Sequence, residues 1–235
     1  MNEFWENNLP VGYYDKVLTS GLVKNKGIQA NWHNLTFSKV RQYIEKDDLH
    51  LDYACGPGTF IGNYKLNNSI GVDISLNQIN FANQKYHEKG DFFTLDDISF
   101  NSKKFDSITV IGLLEFLNEK DSIDILNYLY SILKTNGKLI LTTPNYSVFM
   151  YILEIILNIF GPINYKNQHI NRLNRKKLNN IIKQTNFEKI KIMKIVNFSV
   201  FLSFINISFA NKLEKIVEKI FQNKFGFIFL GILKK

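Results

Sequence analysis

Apolar positions along this chain switch repeatedly between a spacing of two and a spacing of about 3.6, the repeats of a strand and of a helix. Leu49, Leu51 and Tyr53 alternate and can line one face of a strand that runs to Cys55. Asn68–Asp73 reads as a second strand with its acid at the carboxyl end, and Asp91–Asp97 as a third running into acids. Phe105–Gly112, apolar at nearly every place, suits a strand buried on both faces. Lys138–Thr143 is a fifth, ended by Pro144-Asn145; Ile190 and Ile192, either side of Lys191, suit an edge strand, and Phe225–Leu233 a last one. Helical spacing fills the intervals: Thr36–Ile44, Ser75–Lys89 with Ser75 as N-cap, Asp121–Leu133, Arg175–Gln184 and Lys212–Phe221. In Asp121–Leu133 the shared face is Ile123, Leu126, Tyr130 and Leu133, and Thr135-Asn136-Gly137 supplies a glycine stop.

Two stretches break this alternation. Tyr146–Tyr165 is apolar nearly all round, interrupted by Glu154 and Asn158. Such a helix is buried on most sides, lies at a membrane surface, or lines an apolar pocket. It is short for a membrane span, which takes about 20 apolar residues, and Glu154 at its middle argues against one. Ile195–Asn211 is uncharged and rich in Phe and Ile but dotted with Asn and Ser, as in a lid or an interfacial loop.

Composition narrows the class. A chain of 235 residues with 45% apolar content is globular, with one domain or one domain carrying an insertion. Cys55 is the only cysteine, so an intrachain disulfide is excluded, which suits a reducing, cytoplasmic setting. The first residues show neither a basic start nor an apolar run, so no secretory signal is visible. The net charge of +8 is concentrated: Tyr165–Lys194 holds nine basic residues against Glu188 alone. A solvated helix and edge strand account for this better than an anion site, and no nucleic-acid module accompanies it.

The chemistry gathers at Asp52-Tyr53-Ala54-Cys55-Gly56-Pro57-Gly58 and at Asp73. Gly56 and Gly58 let the backbone turn and approach a ligand closely. In open α/β sheets ligands bind outside the carboxyl ends of strands, where an acid such as Asp73 can accept ribose hydroxyls. A dinucleotide turn wants a third glycine where this chain has Ile61, with Gly62 one place late. Asp52 also suits a pyrophosphate poorly and a cationic sulfonium and ammonium well. A nicotinamide-dependent oxidoreductase is therefore the less favoured alternative.

The run D-x-A-x-G-x-G followed by a strand-ending acid resembles the first motifs of class I S-adenosylmethionine (SAM)-dependent methyltransferases, with Ala54 where the family has glycine. Phe105–Ile108 resembles the family's fourth strand, and Leu133–Asn145 its fifth-strand run. The resemblance implies an α/β fold: a Rossmann-like, doubly wound, seven-stranded sheet, mostly parallel with an antiparallel last strand. It implies a helical cap over the cofactor site from residues 1–47. The SAM-binding domain then takes 48–235, with an apolar helical insertion at about 146–170. It implies that Asp52, Ala54, Gly56, Gly58, Asp73, Ile74, Asp97 and Ile98 bind SAM, with Asp96 the alternative to Asp97. Relatives that hold a divalent metal use a histidine where this chain has Phe116, so no metal is expected.

Methyl transfer from SAM is an in-line displacement needing mainly alignment. A hydroxyl acceptor benefits from a base, and His169 is the candidate, with Tyr146 and His33 placed by analogy alone. Cys55 reads as a packing residue rather than a nucleophile. The acceptor reads as a small molecule or glycan. The alternative is a lipid or isoprenoid-linked acceptor met at the membrane, with Tyr146–Phe160 and Ile195–Ala210 as peripheral anchors. A non-catalytic SAM-binding protein is disfavoured by the intact turn.

Overall fold

The computed structural model describes residues 4–97, 103–160, 168–222 and 224–235. Seven strands form one sheet: β1 (His50–Tyr53), β2 (Ser69–Asp73), β3 (Asp91–Thr94), β4 (Phe105–Ile111), β5 (Leu133–Pro144), β6 (Glu188–Ile195) and β7 (Ile228–Lys234). Their order is β3-β2-β1-β4-β5-β7-β6; β1 to β5 run parallel, and β7 is antiparallel to both neighbours. This is the doubly wound sheet the motifs imply. Strand order reverses between β1 and β4, the topological switch point where ligands of such sheets bind.

Each sheet face carries a separate apolar core. Leu51, Ile108, Leu139 and Leu141 pack against α5 (Glu119–Ile132) and α7 (Arg175–Lys183). Ile140 and Ile232 face the other way, toward α1 (Tyr13–Lys24), α2 (Ile28–Arg41), α3 (Thr59–Asn63) and α4 (Leu76–Tyr86). Ser75 caps α4, accepting the Gln78 N–H at 3.3 Å.

Several elements depart from the periodicity. Only Thr36–Ile44 reads as helix before β1, yet α1 and all of α2 are helical. Their inward stripes are not purely apolar: α1 buries Asp15 beside Leu18 and Gly21, and α2 buries Asn31. Long-range partners satisfy both, Lys85 and Tyr86 for Asp15 and Ser203 for Asn31 (2.7 Å). α5 begins earlier than its apolar stripe, because Asn118 accepts the Asp121 N–H at 2.8 Å. Its fully covered face is Leu126, Leu129 and Ile132, with Ile123 and Tyr130 only partly covered. No glycine stop follows; the chain passes directly into β5, and the left-handed residue is Asn136 (φ +66°). Ile195–Asn211 is not a loop: Phe198–Phe204 forms a short 3₁₀ helix, and α8 (Ile207–Phe221) starts at its Asn206 cap. Ser208 and Asn211 dilute the apolar signal at that start.

Of the readings open for α6 (Val148–Phe160), burial on most sides does not hold. Phe149, Tyr151, Ile152 and Ile155 are exposed, whereas Met150 and the acid Glu154 are covered. Among the described residues no helix is long and apolar enough to cross a membrane. The basic excess lies on solvated surface, with Lys176, Lys177 and Lys183 on α7 and Lys189 and Lys191 along the edge strand β6. Lysines at a sheet edge discourage pairing with another chain.

Candidate active site

Past β1 the chain takes three left-handed residues, Ala54 (φ +64°), Gly56 (φ +53°) and Gly58 (φ +70°), and enters α3. A side chain at Gly56 would meet nothing within 4 Å, so this face of the turn is open to a ligand. At Gly58 it would run into Phe92 and Ala82 at 2.6–2.9 Å, so glycine there serves helix packing. Ala54 holds a conformation that costs an L-residue roughly 1–2 kcal/mol. Asp73, at the end of β2, fixes the turn: Oδ2 accepts the Gly56 N–H at 2.8 Å and Oδ1 the Ser75 N–H at 2.9 Å. Burial pushes its carboxyl up, opposed by these N–H groups. Each carboxylate oxygen can accept a second bond, so ribose hydroxyls can be taken without breaking the turn. Ile74 follows with its side chain exposed, and the half-buried Asp97 closes a turn on Thr94 beyond β3 (3.0 Å). Asp96 is exposed, and Ile98 lies outside the described residues.

Beneath the turn lies a buried polar chain. Register sets Asp52 beside Thr109 and His50 beside Ser69. Thr109 Oγ1 donates to Asp52 Oδ1 at 2.6 Å. His50 Nε2 is 2.9 Å from Thr109 Oγ1, and its Nδ1 3.0 Å from Ser69 Oγ. Burial holds His50 neutral, with its pKa lowered to about 3, so it serves as a neutral donor supporting Thr109. Asp52 forms no ion pair among the described residues, and burial raises its pKa to about 7. At the start of α3, Thr59 Oγ1 is buried with no hydrogen-bond partner among the described residues. An open glycine face, a buried acid lacking a cation and an orphaned hydroxyl fit a ligand carrying both positive charge and acceptor groups. That is the chemistry of SAM's methionine end.

The second half of the site stands over the ends of β4 and β5. Glu115 is buried there, its pKa raised to about 7 by desolvation, and Thr143 Oγ1 donates to it at 3.2 Å. The Asn171 N–H donates to the Glu115 carbonyl at 3.0 Å, while Asn171 Nδ2 is buried with no partner among the described residues. Phe116 packs on His169 at 5.1 Å between ring centres. His169 Nδ1 lies 2.9 Å from the Tyr146 hydroxyl and 3.1 Å from Glu154 Oε1. Arg172 also donates to Glu154, from Nε and Nη2, each at 3.2 Å. Desolvation lowers the His169 pKa, opposed by Glu154, so the ring is neutral near pH 7. Nδ1 is shared by the Tyr146 hydroxyl and the Glu154 carboxylate, and a proton on Nδ1 held by Glu154 would make Nε2 the basic nitrogen. Burial raises the Tyr146 hydroxyl well above its ordinary value, against its acting as a base.

The other candidates go elsewhere. His33 packs between Tyr14 and Phe37, and burial lowers its pKa to about 4. The Cys55 thiol is pushed up by burial and by Asp73 and Asp52, which keeps it protonated and inert. An open groove of about 620 Å³ between α1 and α2 contains none of the strand-end residues. Among the described residues no cluster of His, Cys, Asp and Glu is arranged to hold a metal. Sequence reasoning missed His50, Thr109, Glu115 and Arg172. A polar residue inside an apolar strand run was the available signal for His50 and Thr109, and a lone acid in the apolar run Leu113–Leu117 for Glu115; Arg172 carried none.

The N-terminal segment touches both halves. In the helical turn Phe4–Asn8, Glu6 Oε1 accepts the Leu76 N–H at 2.9 Å beside Asp73, and Trp5 meets Phe116 edge-on at 4.8 Å.

Comparison with known proteins agrees with this geometry. Residues 31–192 match the sequence family described as "Methyltransferase domain". An uncharacterised protein of Methanocaldococcus jannaschii is 30% identical over 183 residues, covering 77% of this chain and 67% of its own. Among solved structures, a SAM-dependent methyltransferase from Archaeoglobus fulgidus superposes with a TM-score of 0.60 at 22% identity, over 86% of this chain and 94% of that one. Magnesium protoporphyrin IX methyltransferase from Synechocystis, with S-adenosylhomocysteine bound, gives 0.57 at 15% identity, over 97% and 89%. At these identities the structures speak for the fold, and the sequence match speaks for the family. The chain belongs to the methyltransferase-domain family and has the class I methyltransferase fold.

Proposed function

We propose that this protein is a SAM-dependent methyltransferase acting on a hydroxyl of a small-molecule or glycan acceptor held over the ends of β4 and β5. The observation that carries the cofactor assignment is the pair of buried acids, Asp52 and Asp73, around the open Gly56 turn at the switch point. When bound, SAM supplies a methyl carbon already activated by its sulfonium. Asp73 would accept the ribose hydroxyls, Asp52 would face the cationic end, and Ile74 and Asp97 would border the adenine. Positive charge beside Asp52 favours its ionised form, so cofactor binding releases a proton near neutral pH. Asn171 Nδ2 and the Glu115 carboxyl offer the acceptor a donor and a protonatable acid, and His169 Nε2 takes the hydroxyl proton. Glu154 and Arg172 hold the imidazole in register. Orientation supplies most of the rate, which can amount to roughly 7–11 kcal/mol in well-aligned reactions. The segment before β1 caps the cofactor through Glu6 and Trp5.

Calorimetric titration with SAM, S-adenosylhomocysteine and NAD tests this reading, with Asp73→Ala alongside. Micromolar binding of the first two is expected. The variant should lose affinity by about 2–4 kcal/mol, because it removes the hydroxyl acceptor and leaves two buried N–H groups unpaired. Binding of NAD alone would overturn the assignment.

A further inference from the structure

α8 has two apolar faces, and only one is used by the fold. Ile207, Ala210 and Glu214 point inward. Phe209, Ile216 and Ile220, spaced seven and four residues apart, form a second stripe on the outside. Phe204 and Ile205 continue it just before the helix; these five side chains range from 54% to 72% exposed.

Charge on α8 is sorted as strictly as its apolar groups. Both acids are turned into the protein. Glu214 accepts the Asn197 N–H and the Ser199 hydroxyl, and Glu218 pairs with Lys39 at 2.6 Å. All three lysines of the helix's central turns, Lys212, Lys215 and Lys219, are exposed and flank one side of the outer stripe. Lys26 stands over the Phe204 ring at 5.1 Å, at the far end of the same strip. An exposed apolar stripe bordered by cations alone is the signature of a helix that lies in an anionic lipid interface.

We infer that the α8 stripe and the Phe204–Ile205 corner dock this protein on an anionic bilayer surface. The charge sorting favours a lipid over a second copy of the chain, since two such faces would bring like charges together. Phe149 meets Phe198 at 5.5 Å, which carries the apolar surface on to the outer face of α6, where Ile152 and Ile155 are exposed. The inner face of α6 holds Glu154 against His169. Resting on the methyltransferase reading, a docked α6 would stand between the bilayer and His169.

Docking itself is independent of that reading and is tested without cofactor. Co-sedimentation would use vesicles of phosphatidylcholine alone and vesicles in which about a third is phosphatidylglycerol, at low and physiological salt. Wild-type protein is expected to partition onto the anionic vesicles and to be weakened by salt. Each lysine near an anionic surface contributes about fivefold, so Lys212→Gln/Lys215→Gln/Lys219→Gln should lower partitioning on the order of a hundredfold. Phe209→Ser/Ile216→Ser should lower it on both vesicle types. Far-UV circular dichroism checks that these surface variants fold, and the wild-type result stands without them. Absence of binding to anionic vesicles at low salt would overturn the inference, as would equal binding to both vesicle types. So would a dimer in solution that Ile216→Ser disperses, which would assign the stripe to self-association.

Discussion

The two halves of the carboxyl edge are built in opposite ways. Around β1 and β2, the groups that shape the site belong to strands and to the turn that follows β1, and backbone geometry does most of the placing. Asp73 meets Gly56 because adjacent parallel strands end there, and Asp52 meets Thr109 because their register pairs them. Around α6 and residues 168–172, side chains do the placing: Tyr146, Glu154, His169 and Arg172 hold one another. The first half is a rigid scaffold for a fixed ligand. The second is a network whose members can change together, which is where families of one fold diversify their acceptors.

The sharpest way to separate the halves is His169→Ala. Loss of a positioned base should slow single-turnover methyl transfer to a hydroxyl acceptor by about 10²–10⁴ while leaving SAM affinity unchanged in calorimetry. An equal loss of affinity would mean that the halves are not independent. The pH–rate profile of the wild type should lose activity on the acid side below the ordinary histidine value, since desolvation lowers the His169 pKa.

A smaller effect comes from Asp52. Burial raises its folded-state pKa to about 7, well above the ordinary carboxylate range, so its neutral form is the one the fold prefers. This contribution is fully present below about pH 4 and lost as pH rises through about 7. Glu115, also raised to about 7, slopes the same way, whereas His33 and His50, lowered to about 4 and about 3, slope oppositely. Total stability therefore hides the effect, and a difference reveals it. Asp52→Asn should gain on the wild type by several degrees in Tm between pH 5 and pH 8 without cofactor. With saturating SAM the gain should shrink, because cationic charge repays the ionised acid. A pH-independent gap would remove Asp52 from the charged role.

The smallest expected change is Ala54→Gly. Relief of left-handed strain is partly offset by the greater freedom of glycine in the unfolded chain. The net should be a rise of about 1 kcal/mol or less, or about 2–4 °C in Tm, with SAM affinity kept. A fall in Tm would show that the Ala54 methyl packs better than its φ suggests.

How much of this was legible in sequence follows the same division. The strands, the turn and Asp73 could be read because they depend on local spacing, and the arrangement of the sheet followed from the resemblance to class I methyltransferases. Before β1 only Thr36–Ile44 showed in the periodicity, since Asp15 and Asn31 occupy inward positions that partners such as Lys85, Tyr86 and Ser203 make tolerable. Which of its three readings α6 takes could not be read from the sequence, for the same reason. Hydropathy ranks Glu154 as the residue to expose, but partners distant in sequence outweigh that preference, and the helix turns its apolar side outward. His169 was found by its place in the chain; its partner Arg172 lay among nine basic residues and nothing local distinguished it.

Cys55 gives the molecule an experimental convenience. It is the only thiol in the chain, it is covered by the turn, and its proton is held tightly. The folded protein is therefore expected to react with thiol reagents far more slowly than the unfolded chain. A single cysteine introduced on the outer face of α8 or α6 becomes a unique attachment point for a fluorophore or spin label, with no native residue to remove. The same covered thiol is exposed when the chain unfolds, so it also serves as a reporter of the fold around the cofactor turn.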